Sequence, residues 1–379
     1  MDFELTREHR DIIGAAKEFA EGEFPDVAAE FDRTETFDLS IWRKACELGF
    51  VGVFIDEAYG GAGMGFFEHC LITEEFWAVD PGCGQAILST TFGAEQLLLF
   101  GSEAQKQRVL PELVSGDAII ATAITEPDAG SDPSSASTTA VRDGAEWVLN
   151  GSKIFTTNGT LAKYVIVFCV TQPEGGRHGR HSFILVETDR PGFEARKIKG
   201  KLGTRASDTA ELSLNDVRVP AENLVGVDGQ GFKQLMEFFD RTRLHICAQG
   251  VGLARACLED SVRHVKGRVQ FGQPIARFQA NQFKIAEMAT FVRAGRNLYY
   301  EAATKVDRGK VEPALIAMAK WFTAQNAVRA ADEALQMHGG YGYIDEYRVQ
   351  RLYRDAKVLE IYEGTKEIEK TIVARSLLG

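Results

Sequence analysis

The sequence lacks the features that would tie it to nucleic acid or to a lipid bilayer. No apolar run is long enough to span a membrane, and no segment is dense in Lys or Arg. The formal net charge of −11 would also repel nucleic acid and anionic lipid surfaces. We therefore expect neither nucleic acid nor membrane insertion.

The six cysteines are too scattered to indicate a disulfide framework or a zinc site, because no pair has C-x-x-C spacing. Reduced, mostly buried thiols are the simplest interpretation. Met1 is followed at once by the charged stretch Asp2 to Arg10, without a basic region that leads into an apolar one. We therefore expect a cytoplasmic protein.

Short catalytic signatures are missing as well. There is no G-x-S-x-G elbow of a serine hydrolase, and the seven histidines form no H-E-x-x-H or comparable ligand pattern, so we expect no metal site. The Gly-rich stretch from Tyr59 to Gly65 lacks G-x-G-x-x-G spacing and lies among predicted helices. We interpret it as a loop and not as a dinucleotide site.

Apolar periodicity divides the 379 residues into three regions. Helical spacing before about Ala121 gives way to short alternating runs, which predict a sheet, and then returns. The predicted domains are an N-terminal helical domain at 1–121, a middle β domain at 122–229 and a C-terminal helical bundle at 230–379. The long helices of the bundle are predicted at 232–269, 280–308, 313–337 and from 365 onward. Within the sheet, Asn150-Gly151 is typical of a two-residue hairpin turn.

Near the C-terminus, a carboxylate has the setting of a proton-removing base. Glu363 lies between Tyr362 and Gly364. The ring would keep water off one side and raise the pKa of the carboxylate, and the small Gly would let a substrate approach. Most loop carboxylates are solvated and inert, so this segment alone does not assign a function.

Two polar segments of the predicted sheet are suited to holding a flat, polar ring. From Thr125 to Ser131, hydroxyl groups alternate with Gly and Pro at a strand-to-loop transition. Further on, Phe155 could cover a ring whose edge hydrogen-bonds to Thr157. Taken by itself, each segment fits a polar turn that closes a sheet better than it fits a ring-binding site.

Three longer motifs, in this order, resemble the acyl-CoA dehydrogenase family. They are residues 123–135, the stretch from Gln336 through His338-Gly339-Gly340 to Asp355, and Ile361 to Thr365. The resemblance extends over essentially the whole chain. It implies an α+β, mostly α fold with an N-terminal helical domain, a middle β-barrel or sandwich-like domain and a C-terminal four-helix bundle. It also implies a homotetramer, with FAD between the β domain and the bundle.

The resemblance implies roles for several groups of residues. Those expected near the flavin are Ile124, Thr125, Ser131, Phe155 and Thr157, with Thr365 and Glu367 nearby. Those similar to positions that a neighbouring subunit offers to the ADP half of FAD are Arg268, Gln270, Phe271, Gln336 and Gly340. Those expected at the substrate are Ser131, Asp240 and Arg243 along the CoA arm, Leu88 and Phe92 in the acyl pocket, and Tyr362 and Gly364 beside the base.

The same resemblance makes Glu363 the catalytic base. It would take the proton α to the thioester carbonyl while hydride leaves the β carbon for flavin N5, and electrons would pass to an electron-transfer flavoprotein. The backbone N–H of Glu363 and a ribityl hydroxyl of FAD would hold the developing enolate. Some relatives carry the base at the position of Thr242, where Thr cannot act. Many carry Trp where this chain has Phe155.

An apolar acyl group is favoured, because the segment from Pro81 to Glu95 resembles the helix that lines the acyl pocket and contains no Lys or Arg for a second carboxylate. Leu88 and Phe92 would shorten the cavity, which favours short-chain, branched or alicyclic acyl-CoA; they could equally be helix core. Three alternatives stay open: an acyl-CoA oxidase, a dehydrogenase acting at a non-α,β position of a cyclic acyl-CoA, and a non-catalytic protein that binds CoA thioesters.

Overall fold

The N-terminal part of the chain is helical, as predicted. The computed structural model describes residues 5–379, so the first residues of the charged stretch from Asp2 lie outside the described part. Its helices are α1 (Arg7–Glu23), α2 (Ala28–Thr34), α3 (Leu39–Glu47), α4 (Phe66–Val79), α5 (Pro81–Leu88), α6 (Ala94–Phe100) and α7 (Glu103–Ser115).

Local chemistry fixes where these helices begin. Ser102 caps α7 by accepting from the Gln105 N–H at 3.3 Å, and the Gln105 side chain accepts from the Ser102 N–H in return. Asp80 caps α5 by accepting from the Cys83 N–H at 3.0 Å, just before Pro81 occupies the first helical position. Helix α4 is almost fully buried, and its buried carboxylates Glu74 and Glu75 are paired with Arg296 and Arg255 of the bundle.

The middle of the chain forms one mixed sheet. Its strands are β1 (Ile120–Ala123), β2 (Thr139–Asp143), β3 (Glu146–Thr157), β4 (Tyr164–Val170), β5 (His181–Glu187), β6 (Phe193–Lys197), β7 (Thr209–Pro220) and β8 (Leu224–Val225). They are ordered β6-β7-β3-β2-β4-β5-β8, and β1 pairs in parallel with β4. The ends of β1 and β3 carry both polar segments noted in the sequence.

The predicted hairpin at Asn150-Gly151 is wrong. Strand β3 continues through both residues, with a bulge in its pairing to β7 at this point. A Cβ at Gly151 would lie 2.8 Å from the Thr138 Cα, so close backbone approach requires glycine here. The Asn150 side chain exchanges hydrogen bonds with Asp216 on the β7 side. The real turn precedes this segment, at Gly144, where φ is +59°.

The C-terminal part is a helical bundle that confirms the four predicted long helices. Its elements are α8 (Gly231–Gly267), β9 (Val269–Gln270), β10 (Gln273–Pro274), α9 (Gln279–Asp307), α10 (Pro313–His338), α11 (Val349–Ala356) and α12 (Lys366–Leu378). Small residues let α8 pack closely on both sides: a Cβ at Gly250 would lie 3.0 Å from Thr323 of α10, and one at Gly252 would overlap the backbone of α4 at Glu74.

All six cysteines are buried with free thiols, as expected from their spacing. Across residues 5–379, no helix combines the length and apolar character that crossing a bilayer requires. The domain boundaries near residues 121 and 229 stay predictions.

Candidate active site

Glu363 lies in the loop between α11 and α12, in a strained backbone conformation. Its φ is +56° and that of Gly364 is +99°, both in the left-handed region. A non-Gly residue held there costs on the order of 1 kcal/mol or more and often marks a functional site. Thr365 ends the loop by capping α12 through the Ile368 N–H.

The half-buried carboxylate of Glu363 points toward α8. Thr242 Oγ1 donates to Glu363 Oε2 at 2.7 Å. Burial raises the pKa of Glu363 above its ordinary value, while the Thr242 hydrogen bond and the charges of Arg243 and Lys320 oppose that rise. A carboxylate with a raised pKa is a stronger proton acceptor at neutral pH. Thr242, which cannot itself act as a base, therefore fixes the orientation of the Glu363 carboxylate, the predicted base.

The loop backbone is held by two buried cations, neither of which we predicted for this role. Lys320 Nζ donates to the carbonyl oxygens of Tyr362 and Gly364, and Arg243 Nε donates to that of Glu363 at 2.9 Å. Arg243 is also 3.1 Å from the buried Glu369 carboxylate. These contacts lie within the protein, so the predicted place of Arg243 along the CoA arm stays untested. Asp240 is its neighbour, 3.8 Å away.

A hydrogen-bonded chain joins the loop to the predicted acyl pocket. The Tyr362 hydroxyl donates to Gln249 Oε1 on α8, and Gln249 Nε2 donates to Gln85 Oε1 on α5 at 3.0 Å. Leu88 is buried at the end of α5, and Phe92 packs edge-on against Phe238 with ring centroids 5.1 Å apart.

Glu95 is a buried carboxyl group at the end of the predicted acyl-pocket segment, and no pattern in the sequence assigned it a role. Its Oε2 accepts from the Gly93 N–H at 3.1 Å. Burial raises the pKa of Glu95 to about 7, and the charge of Glu363 adds to that rise. This group offers no positive charge that could pair with a second carboxylate on an acyl chain.

The structure brings the two polar segments together at the ends of β1 and β3. The Ile154 N–H donates to the Thr125 carbonyl at 2.9 Å. Beside this bond, Phe155 is 63% exposed at a φ of +58°, so the backbone holds a large apolar ring open to solvent. Ile124 and Thr157 are half-buried in the same region, and Ser131 is exposed in the turn after β1.

These residues fit a flat heteroaromatic cofactor. In the described part of the chain, the hydroxyl groups of Thr125, Ser131 and Thr157 have no side-chain hydrogen-bond partner. Free hydroxyls and an uncovered aromatic ring match the edge and the face of an isoalloxazine ring. Lys153, which is fully buried, ties this region to the sheet by donating to the Ile124 carbonyl at 3.0 Å and to Glu126 at 2.8 Å.

The residues predicted for the ADP half lie on the surface of the bundle. Arg268 follows α8 and lies over the Tyr341 ring, 5.5 Å from its centroid. Phe271 is 92% exposed at a φ of +53° in the β9–β10 turn. Gln270, Gln336 and Gly340 are exposed too, as is Glu367 on α12. Such exposure suits contact with a second chain, and the inter-subunit role stays a prediction.

Known families and proteins match this chain along its whole length. Profiles of the acyl-CoA dehydrogenase N-terminal, middle and C-terminal domains match residues 6–117, 121–217 and 229–378. The chain is similar to the acryloyl-CoA reductase (NADH) of Anaerotignum propionicum, with 41% identity over 380 residues that cover 100% of this chain and 96% of the relative.

Solved structures give the same answer. The butyryl-CoA dehydrogenase of Megasphaera elsdenii matches with a TM-score of 0.96 and 39% identity, over 100% of both chains. A glutaryl-CoA dehydrogenase from Mycobacterium smegmatis in complex with FADH2 matches with a TM-score of 0.92 and 31% identity, over 98% of this chain and 95% of that one. The chain therefore belongs to the acyl-CoA dehydrogenase family, and it is an oxidoreductase that uses FAD to dehydrogenate acyl-CoA thioesters.

Proposed function

We propose that this enzyme converts a short-chain, branched or alicyclic acyl-CoA to the 2-enoyl-CoA, with Glu363 as the base and an electron-transfer flavoprotein as the electron acceptor. The observation that carries the proposal is the Glu363 carboxylate, which has a raised pKa, accepts from Thr242 and belongs to a strained loop beside the predicted acyl-pocket helix. We further propose that the enzyme works in the cytoplasm as a homotetramer.

Glu363, Thr242 and the loop backbone have separate roles in the proposed reaction. Glu363 Oε1 or Oε2 receives the proton α to the thioester carbonyl, and Thr242 fixes the carboxylate during that transfer. Bound FAD would supply the acceptor for the hydride of the β carbon. Negative charge then develops on the thioester oxygen, and the Glu363 N–H, which meets no acceptor within residues 5–379, is available to donate to it.

The proposed acyl group follows from the pocket wall. Leu88 and Phe92 would limit the depth of the acyl pocket, and the segment from Pro81 to Glu95 offers no cation to pair with a second carboxylate. A panel of straight, branched, cyclic and dicarboxylic acyl-CoA thioesters tests this by anaerobic flavin bleaching with product analysis. Bleaching by glutaryl-CoA but not by apolar thioesters would overturn the proposed class.

Product analysis and the electron acceptor separate the alternatives. Rapid formation of hydrogen peroxide in air would indicate an acyl-CoA oxidase, whereas slow reoxidation that an electron-transfer flavoprotein accelerates supports the proposal. A double bond outside the α,β position of a cyclic substrate would identify the other dehydrogenation. Because one relative is named an acryloyl-CoA reductase, enoyl-CoA should also be tested as an oxidant of the reduced enzyme.

Replacing Leu88 by Ala should extend the substrate range to longer acyl chains. The change opens space at the end of α5, so the ratio of kcat/KM for a longer to a shorter straight-chain acyl-CoA should rise by about tenfold or more. Removing this buried side chain also lowers the free energy of unfolding by about 2–5 kcal/mol, so folding is checked by circular dichroism. Leu377→Ala, at an exposed C-terminal position, is the matched control. An unchanged chain-length profile in folded Leu88→Ala enzyme would remove Leu88 from the pocket.

Replacing Thr242 by Val should shift the pH dependence of the reaction. The Thr242 hydrogen bond stabilises ionised Glu363, so its loss raises the pKa of Glu363 further. Since the base acts when deprotonated, the acidic limb of the flavin-reduction rate must move to higher pH. Stopped-flow flavin reduction across pH measures this, with Thr290→Val on an exposed face of α9 as the control. A limb that stays in place or moves to lower pH contradicts the orienting role.

A further inference from the structure

We infer that Lys320 is a positioning residue that aims and strengthens the Glu363 N–H as the donor to the developing enolate oxygen. This inference rests on the proposed function of Glu363. It concerns a fully buried lysine on α10 that contacts the loop only through backbone carbonyl oxygens.

The peptide group between Tyr362 and Glu363 connects the lysine to the donor. Its carbonyl oxygen, that of Tyr362, accepts from Lys320 Nζ at 2.8 Å. That oxygen and the Glu363 N–H belong to the same planar trans peptide, in which C=O and N–H point in opposite directions. Anchoring the oxygen toward α10 therefore directs the N–H away from α10. Within residues 5–379, neither backbone nor side chain accepts from that N–H.

The contact with Lys320 also acts on the strength of the donor. An ammonium group bonded to a carbonyl oxygen draws electron density through the peptide, and this polarisation makes the N–H at its other end a better donor. The site is screened from water, because the Lys320 side chain has no exposed surface. The effect is therefore larger than it would be on a solvated loop.

A second set of contacts prevents the loop from turning over. Lys320 also donates to the Gly364 carbonyl, and Arg243 Nε donates to the carbonyl of Glu363 at 2.9 Å. Three consecutive carbonyls are thus bonded to cations, which offsets the strain of the left-handed Glu363. The buried carboxylate of Glu369 lies beside Gly364 so closely that a Cβ there would overlap it. It balances the positive charge of the cluster.

Burial opposes charge on Lys320 and Glu369, so both ionised groups carry a desolvation penalty. It lowers the pKa of Lys320, and it raises the pKa of Glu369, with each group's charge favouring the ionised form of the other. An apolar side chain would fill the same space without that penalty. Such a side chain could not, however, donate hydrogen bonds to the loop carbonyls.

The test compares Lys320→Met with the double variant Lys320→Met/Glu369→Gln in FAD-loaded enzyme. Both lack the anchor, and the double variant keeps the net charge of the pair. We expect both to reduce flavin with acyl-CoA at least about tenfold more slowly, with substrate affinity changed much less. Lys310→Met, at an exposed position between α9 and α10, should match the wild type. A double variant that regains the wild-type rate would overturn the inference, because charge alone would explain the effect.

Two further measurements distinguish a loss of Glu363 N–H orientation from a general loss of structure. With 2-enoyl-CoA labelled with carbon-13 at the thioester carbonyl, the infrared carbonyl band of the bound product should move toward its free-solution position in Lys320→Met. A slower variant with an unmoved band would show a merely structural role and overturn the inference.

Hydrogen exchange of the segment around residues 358–368, measured without substrate, should be faster in both variants than in the wild type. Unchanged exchange would show that Lys320 does not anchor the loop, and this result does not depend on the identity of the substrate. If no acyl-CoA thioester reduces the flavin of the wild type, the proposed function is wrong. The exchange result then still tests whether Lys320 anchors the loop.

Discussion

Replacing Glu363 by Gln should slow flavin reduction by acyl-CoA by a factor of about 10²–10⁴, because general-base removal of the α proton is lost. Gln has the shape of Glu, and its carbonyl oxygen can still accept from Thr242. Binding of FAD and of the thioester should therefore persist. Anaerobic stopped-flow measurement of flavin bleaching gives the rate, and the flavin spectrum gives the cofactor content.

The control is Glu194→Gln, which removes an exposed carboxylate on the sheet-edge strand β6 and should leave the rate unchanged. If Glu363→Gln reduced its flavin as fast as the wild type, Glu363 would not be the base.

Replacing Lys153 by Met should lower the free energy of unfolding by about 3–5 kcal/mol. The reason is that Glu126, only 6% exposed, would lose its cationic partner. Within residues 5–379, it would keep only the Ser137 N–H, the Ser137 hydroxyl and the Thr138 N–H as donors. Urea unfolding followed by circular dichroism, at matched protein concentration, measures the change.

A double variant, Lys153→Met/Glu126→Gln, provides the comparison. It removes the uncompensated charge, so it should recover part of the stability that Lys153→Met loses. If the double variant is no more stable than the single one, the isolated carboxylate is not the cause. The rest of the loss would then lie in the bond from Lys153 to the Ile124 carbonyl.

The same pair predicts how wild-type stability depends on pH. The Lys153 charge and the surrounding donors lower the pKa of Glu126 to about 2 from an ordinary 4.5, although burial opposes them. A carboxylate whose folded-state pKa is depressed stabilises the fold above its unfolded pKa and loses that contribution as pH falls through the folded value. The wild type should therefore lose this stabilisation between about pH 4.5 and pH 2.

Much of the architecture could be predicted from the sequence because it depends on periodicity. The long helices α8, α9 and α10 repeat apolar residues at a spacing that only a helix places on one face. The Asn150-Gly151 prediction failed because the same dipeptide suits a type I′ turn and a bulge, both of which need unusual backbone angles. Which one forms depends on the pairing of β3 with β7, a long-range contact.

The site was only partly predictable for a related reason. Glu363 and its neighbours form a continuous motif, whereas Lys320 and Arg243 reach the loop from two other helices. A signal for Lys320 did exist: it interrupts an Ala-rich apolar stretch of a predicted core helix, where an unpaired charge is costly. The sequence could not identify the groups that Lys320 contacts.

The sequence by itself determined the order of helical, sheet and helical regions and the identity of the carboxylate in its family motif, since both are written in neighbouring residues. Only the tertiary structure decided how that carboxylate and its loop are held: a hydroxyl from α8 bonds the carboxylate, and cations from α8 and α10 bond the loop carbonyls, with their charge offset by a carboxylate from α12. The physical reason is that a buried charge acquires its role from the groups that surround it, and packing brings those groups together.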